Sequence, residues 1–254
     1  MKKGKKLYEG KAKIIFATSD KNVVIQHFKD DATAFNNQKK ANIEGKGILN
    51  NRISEHLLKS LTEIGIKNHL IKRLNMREQL VELVNIIPIE FIIRNIATGS
   101  LTKRLGIEEG TVLDYPLIEY CLKNDELGDP IISREHILNF KWLNIVELNQ
   151  INEQCLRIND FLQGIFKGIE IKLVDFKIEF GKAKSDEKII LADEISPDTC
   201  RLWDQKTDKK LDKDRFRKDL GDVVEAYQEV ARRLGILHEQ SNIRPIKFSK
   251  SIFI

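Results

Sequence analysis

Apolar and polar positions alternate in three short runs at the start of the chain. Lys6 to Ile15 reads as a strand, a turn at Gly10 and a second strand, and Val23 to Phe28 is a β-branched third. The period then changes. After Gly45 and Gly47, the positions Leu49, Ile53, Leu57, Leu61 and Ile64 recur every three or four residues, the spacing of an amphipathic helix that stops near Gly65. His69 to Leu74 and Gln79 to Val84 return to strand patterning and complete a β-rich first lobe, residues 1–87.

The second lobe, residues 88–254, mixes both periods. Ile89 to Ile96 is a strongly apolar strand, broken by Ala97-Thr98-Gly99-Ser100, which opens a short helix at Leu101. Leu148, Ile151, Cys155, Ile158, Leu162 and Ile165 form one helical stripe, so Cys155 reads as core rather than nucleophile. A last helix is expected from about Asp212 to Leu234, with Phe216, Leu220, Val223, Tyr227, Val230 and Leu234 on one face and Gly235 as its stop. Strands followed by helices without strict alternation predict an α+β fold rather than a repeating βαβ sheet.

Composition narrows the class. A chain of 254 residues and 29.4 kDa holds one large domain or two small ones. With 41% hydrophobic and 32% charged residues but only 14 glycines and 5 prolines, it is neither collagen-like nor low-complexity nor disordered. The net charge of +5 and pI near 8.9 raise the question of a nucleic-acid partner. Lys2, Lys3, Lys5 and Lys6 carry most of that surplus, no basic cluster with interleaved aromatics follows, and no nucleic-acid partner is expected. The basic start MKKGKK is followed by LYEGKAK rather than an apolar run, so export is not expected. The most apolar stretch, Leu83 to Ile93, is broken by Asn85, Pro88 and Glu90 and is too short to span a bilayer, so no membrane partner is expected either. Cys121, Cys155 and Cys200 are odd in number and in no metal-ligand spacing, which points to a reducing, cytoplasmic compartment.

The sharpest chemical pattern is LVDFKIEFG, Leu173 to Gly181. On a strand, Val174, Phe176, Ile178 and Phe180 face one way while Asp175, Lys177 and Glu179 line the other. Such a row is also what a solvated outer face looks like. After the polar turn, however, the strand Ile189 to Ala192 runs into Asp193-Glu194-Ile195-Ser196-Pro197-Asp198, and an antiparallel hairpin brings Asp193 toward Glu179. Two carboxylates beside a lysine suit Mg²⁺ completed by phosphate oxygens.

Two further groupings are compatible with phosphate. Arg94 with Ser100 in the Thr98-Gly99-Ser100 turn offers a guanidinium fork, a hydroxyl and free backbone N–H groups, although Ser100 alone is also an ordinary helix cap. Arg94 lies within an apolar strand, and a buried guanidinium needs an anionic partner. Lys11 and Lys13, spaced by two after Gly10, are expected on one strand face, a weak pattern that is neither a Walker loop nor a dinucleotide fingerprint. His27, His56, His69, His136 and His238 fall in no zinc-ligand spacing.

In order along the chain, LYEGKAK, TAFN with KKANIEGKGILNN, IPIEFIIRNIATGSL, KRLGIEEGT, LKNDELGDP, LVDFKIEFG, LADEISPD with RLWD, and DKDRFR with AYQEVARRLG resemble the SAICAR synthase family of purine biosynthesis. The similarity runs from about residue 7 to 235. It implies a two-lobed α+β fold with a nucleotide cleft and a carbon–nitrogen ligase in which ATP, L-aspartate and carboxyaminoimidazole ribonucleotide (CAIR) give an amide, ADP and phosphate. It further implies Lys11 and Lys13 at the ATP phosphates, Asn85 to Ile87, centred on Ile86, at adenine through the backbone, and Glu179 and Asp193 as magnesium carboxylates. Lys177 matches a catalytic lysine at the reacting groups. Asp175, on the same face, is grouped with it as a candidate catalytic residue of open role. Arg94, Ser100 and Arg201 match residues that hold the ribonucleotide phosphate, with Asp198 on the imidazole or ribose.

Lys123 and Asp129 either serve the aspartate site or brace their loop. Cys200 stands where the family usually has serine, and is oxidisable there if exposed. The resemblance also implies a homo-oligomer, most simply a two-fold dimer. The glycines around Asn36 to Gly47 permit a closing loop, and Ser241 to Ile254 extends past the similarity with its role open. A kinase-like phosphotransferase, the nearest rival, fails because the chain has no H-R-D or D-F-G signature.

Overall fold

β1 (Lys6–Glu9), β2 (Lys13–Ala17) and β3 (Val23–Phe28) form an antiparallel meander in the computed structural model, which describes residues 2–34 and 38–237. β4 (Asp31–Ala34) and β5 (Lys39–Asn42) make a separate two-stranded ribbon of DATA and KKAN, a segment whose polar character reads as loop. Asn36 and the tail from residue 241, both raised by the sequence, lie outside the described residues, as does His238.

α1 (Lys46–Glu63) follows Gly45, whose φ of 88° only glycine adopts freely at a helix entrance. Its stripe Leu49, Ile53, Leu57 and Leu61 is at most 2% exposed, so the periodicity does mark the core face. β6 (Leu70–Arg73) and β7 (Glu78–Glu82) complete a five-stranded sheet ordered β1-β2-β3-β7-β6.

The second sheet begins at β8 (Val84–Ile96), so the lobe division at residue 87 falls inside a strand whose first residues already pair with the second sheet. Then come α2 (Ser100–Leu105), β9 (Val112–Leu122), β10 (Ile131–Ile132), α3 (Arg134–Asn139) and α4 (Ile145–Gly168). Asn144 and Glu147 cap α4 reciprocally, and its stripe, with Cys155 fully buried, packs beneath β11 (Ile171–Ala183). The order of this sheet is β10-β9-β8-β11, after which β12 (Ile189–Ala192) and β13 (Cys200–Asp204) share the far edge of β11. At Gly181, a Cβ would come within 2.8 Å of Val84 Cγ2, so glycine permits the close approach of β8 and β11 at a bulge.

The sharing of β11's edge positions the site. β13 pairs from Ile171 to Phe176 and β12 from Glu179 to Lys182, which leaves Lys177 opposite the gap between them. The connection from Asp193 to Thr199 spans that gap, and the Lys177 N–H donates to Thr199 O at 2.8 Å.

The expected helix from Asp212 to Leu234 is instead two, α5 (Asp214–Arg217) and α6 (Val223–Arg233). Asp219, Gly221 and Asp222 between them all have positive φ, and the Arg215 guanidinium donates to the freed carbonyls of Leu220 (2.9 Å) and Gly221 (2.7 Å). Phe216 therefore leaves the α6 face to pack on Ala32 and Ala34, and Leu220 is exposed. No helix of the described residues is long and apolar enough to cross a membrane.

Candidate active site

Two of the three charges in the row on β11 are buried, and Lys177 between them is partly exposed to the cleft. Asp175 is 3% and Glu179 2% exposed, so this is no solvated outer face, and each charge is matched by others from neighbouring strands. Lys177 Nζ donates to Glu90 of β8 at 2.6 Å and to Glu179 at 3.3 Å, and Glu179 also meets Lys123. Burial works against the Lys177 charge, but Glu179 and Glu90 outweigh it and hold the ammonium well above the ordinary lysine range. Burial raises Glu90, with Lys177 opposing.

The β11–β12 register sets Glu179 opposite Ala192, so Asp193, the next residue, leaves the strand beside Glu179 as the hairpin pattern predicts. Its φ is 61°, and its carboxylate meets Lys13 from β2, which also reaches Glu194 at 2.9 Å. Burial opposes the Asp193 charge, yet Lys13, Lys177 and Lys123 hold it below the usual carboxylate range. His69 beside it is kept neutral by burial, its pKa lowered to about 4.

These side chains line a cleft of about 1140 Å³ between the two sheets. Lys11, Lys13, Ile86, Lys177, Glu179, Asp193 and Asp198 all face it. Lys11 and Lys13 do not share a strand face, because Lys11 sits in the turn and β2 starts at Lys13. Lys11 pairs instead with Asp125, at 2.6 Å. Tyr8, Ile15, Val24, Leu83 and Ile86 give this end of the cleft its apolar wall.

Asp175, Arg94, Ser100 and Arg201 do not line that cleft; they form a connected cluster beside it. Asp175 Oδ2 accepts from Arg94 Nη1 (2.6 Å) and Arg201 Nη1 (2.8 Å), Arg94 donates onward to Ser100 Oγ (3.1 Å) and Glu119 (2.7 Å), and Arg201 Nε donates to Asp214 (3.0 Å). The anionic partner that a buried Arg94 requires is thus Asp175 together with Glu119. Gly99 completes the cluster, since a Cβ there would stand 2.7 Å from Arg201 Nη2 and its φ is 61°.

Asp198, expected near Arg94, Ser100 and Arg201, makes no hydrogen bond to them and lies instead in a buried set that sequence reasoning missed. Its oxygens accept from Lys46 Nζ and Tyr227 OH, both at 2.6 Å, and burial is outweighed by Lys46 and Lys213, which keeps Asp198 ionised. Lys46 gave a signal only in the GKG that opens α1, while Tyr227 was hidden in an apolar stripe. Glu90 was equally hidden, as the lone charge in IPIEFII. Lys123 contacts Glu179, whereas Asp129 accepts from the Asn124 N–H at 3.0 Å and braces its loop. Cys200 is 3% exposed and burial pushes its thiol pKa up, so it is not the exposed, oxidisable thiol that its position allowed.

No group of three or more His, Cys, Asp or Glu side chains gathers in metal-binding geometry among the described residues. The cleft offers instead two hard carboxylates, Glu179 and Asp193, which suits a small divalent cation whose remaining ligands come from phosphate and water.

A family model described as SAICAR synthetase matches residues 6–234. The phosphoribosylaminoimidazole-succinocarboxamide synthase of Pelagibacter ubique (strain HTCC1062) is 72% identical over 252 residues, spanning 98% of this chain and 97% of the relative. The crystal structure of the like-named enzyme from Ehrlichia chaffeensis superposes with a TM-score of 0.91 at 57% identity, covering 92% of this chain and 100% of that one. A SAICAR synthetase solved in complex with ADP gives 0.86 at 47% identity, over 89% of this chain and 96% of that one. On its sequence and its two-sheet α+β architecture alike, the chain belongs to the SAICAR synthetase family.

Proposed function

We propose that this protein is an ATP-dependent ligase that joins L-aspartate to the carboxylate of CAIR through an acyl phosphate, releasing SAICAR, ADP and phosphate in purine biosynthesis. The observation that carries the reading is the position of Lys177, held by Glu90 and Glu179 on one cleft wall while Lys13, from the other sheet, meets Asp193 and Glu194. A carboxylate does not acylate an amine at neutral pH without activation. Transfer of the γ-phosphoryl group to a CAIR carboxylate oxygen creates a leaving group, and attack by the aspartate amine on the acyl carbon expels phosphate as the amine loses its proton.

Residues 1–87 hold ATP in this reading and residues 88–254 carry the metal and ribonucleotide sites. Lys11 and Lys13 move from their carboxylate partners to phosphate oxygens, and the apolar wall with the backbone at Ile86 takes adenine. Lys177 holds the transferring phosphoryl group and the CAIR carboxylate together. Glu179 and Asp193 hold Mg²⁺, which when bound neutralises the negative charges that must approach one another. Arg94, Ser100 and Arg201 take the ribonucleotide phosphate and Asp198 its ribose or imidazole. Asp175 serves as a positioning residue rather than a catalytic one, because its carboxylate is committed to two guanidinium groups. The three free, buried cysteines support a cytoplasmic setting, and a homodimer is the assembly proposed, which light scattering tests.

ADP release from Mg·ATP, measured with CAIR and with or without L-aspartate, tests the function. Aspartate-dependent ADP and an amide product of the expected mass support it; ADP release independent of L-aspartate, or none at all, overturns it.

A further inference from the structure

The amino-acid substrate has no seat among the residues assigned so far. Lys123 and Asp129, the two candidates that the sequence offered, are committed to Glu179 and to the Asn124 N–H. The other lysines on the cleft wall are either paired with carboxylates, as Lys11, Lys13, Lys29 and Lys177 are, or exposed, as Lys40 is.

Lys213 differs from all of these. Its side chain is only 14% exposed, it lines the cleft, and its amine makes no hydrogen bond among the described residues. The nearest carboxylate, Asp198, stands 4.0 Å away with its oxygens already held by Lys46 and Tyr227. Burial, together with the like charges of Arg217 and Lys46, lowers the Lys213 pKa from the ordinary lysine value against the pull of Asp198, the mark of an under-compensated cation. Arg217, also on the cleft wall, meets Asp214 through Nη1 and has no partner at Nη2 or Nε among the described residues. An ammonium beside an open guanidinium edge matches a planar carboxylate.

Position agrees with chemistry. The Lys213 N–H donates to Pro197 O at 3.0 Å and the Lys177 N–H to Thr199 O at 2.8 Å, so the short stretch Pro197 to Thr199 ties this corner to the lysine assigned to the reacting groups. The phosphate seat proposed at Lys11 and Lys13 lies elsewhere, and the Arg94–Arg201 cluster, which adjoins Arg217 through the Asp214 carboxylate that Arg201 and Arg217 share, is already assigned to the ribonucleotide phosphate. The anion left over is a carboxylate of the amine donor. Resting on the ligase reading above, we infer that Lys213 and Arg217 seat a carboxylate of L-aspartate beside Asp198.

Steady-state kinetics on Lys213→Met and Lys213→Arg test the seat. KM for L-aspartate is expected to rise about tenfold or more in Lys213→Met and to be partly restored in Lys213→Arg, with KM for CAIR and for ATP within about twofold of wild type. A rise in KM for CAIR with that for L-aspartate unmoved, or no change in any of them, overturns the seat. Lys213→Gln gives the same reading if Lys213→Met fails to fold. Wild type in the same assay separates the two claims: an inactive wild type defeats the ligase reading, whereas an active one with unchanged variant constants defeats only the seat.

Discussion

Asp175 and Arg201 are direct cross-strand partners, their Cα atoms in register between β11 and β13 and Arg201 Nη1 2.8 Å from Asp175 Oδ2. Arg94 is in register with the same Asp175 from the opposite side, on β8. One carboxylate therefore aligns two arginines across three strands. Burial disfavours the Arg201 charge, yet Asp175 and Asp214 more than compensate and hold its pKa above the usual arginine value.

Replacing Asp175 with Asn keeps the shape and removes the charge. Both guanidiniums then lose their shared counter-ion, and breaking a buried pair from one side costs about 3–5 kcal/mol. Urea unfolding of Asp175→Asn should show a loss of that size, with a raised KM for CAIR. A loss below about 1 kcal/mol would mean that Glu119 and Asp214 suffice.

Lys177→Met and Asp193→Asn should still fold, by circular dichroism, while lowering kcat by about 100-fold or more, because both residues act on charge that develops during phosphoryl transfer. Near-normal kcat in either variant removes that residue from the chemistry.

Asp212 gives a prediction about pH. Its carboxylate is fully buried, accepts from the Leu202 and Asp214 N–H groups at 2.7 Å, and has its pKa raised to about 7 by burial and then by Asp214. The folded-state value lies above the unfolded one, so the folded chain binds the extra proton. This contribution to stability is fully present below the unfolded value and is lost as pH rises through about 7. Asp212→Asn cannot titrate. On lowering the pH from 8 to 5.5, wild type should therefore gain about 2 kcal/mol relative to this variant in denaturant unfolding. A pH-independent difference would show that Asp212 keeps an ordinary carboxylate pKa.

Much of this architecture is legible in the sequence because it is local and periodic. The α1 and α4 stripes, the alternation on β11 and the adjacency of Asp193 to Glu179 all follow from side-chain period or from one hairpin register. What was hidden depends on long-range pairing or on local competition. Lys46 meets Asp198 from 152 residues away, and Glu90 and Tyr227 look like single interruptions of apolar runs. Phe216 and Leu220 keep helical spacing, but Gly221 and two aspartates that accept positive φ break the helix between them. The period of Lys11 and Lys13 suggests a shared strand face only if the turn is Gly10 alone, whereas the turn runs two residues further, to Ala12.

The most direct test of the account follows one oxygen atom. With CAIR labelled with ¹⁸O in its carboxylate, Mg·ATP and L-aspartate, mass analysis of the released phosphate should find one labelled oxygen per phosphate, because the carboxylate oxygen that accepts the phosphoryl group departs with it. Unlabelled phosphate accompanying amide formation would mean that no acyl phosphate forms in this cleft.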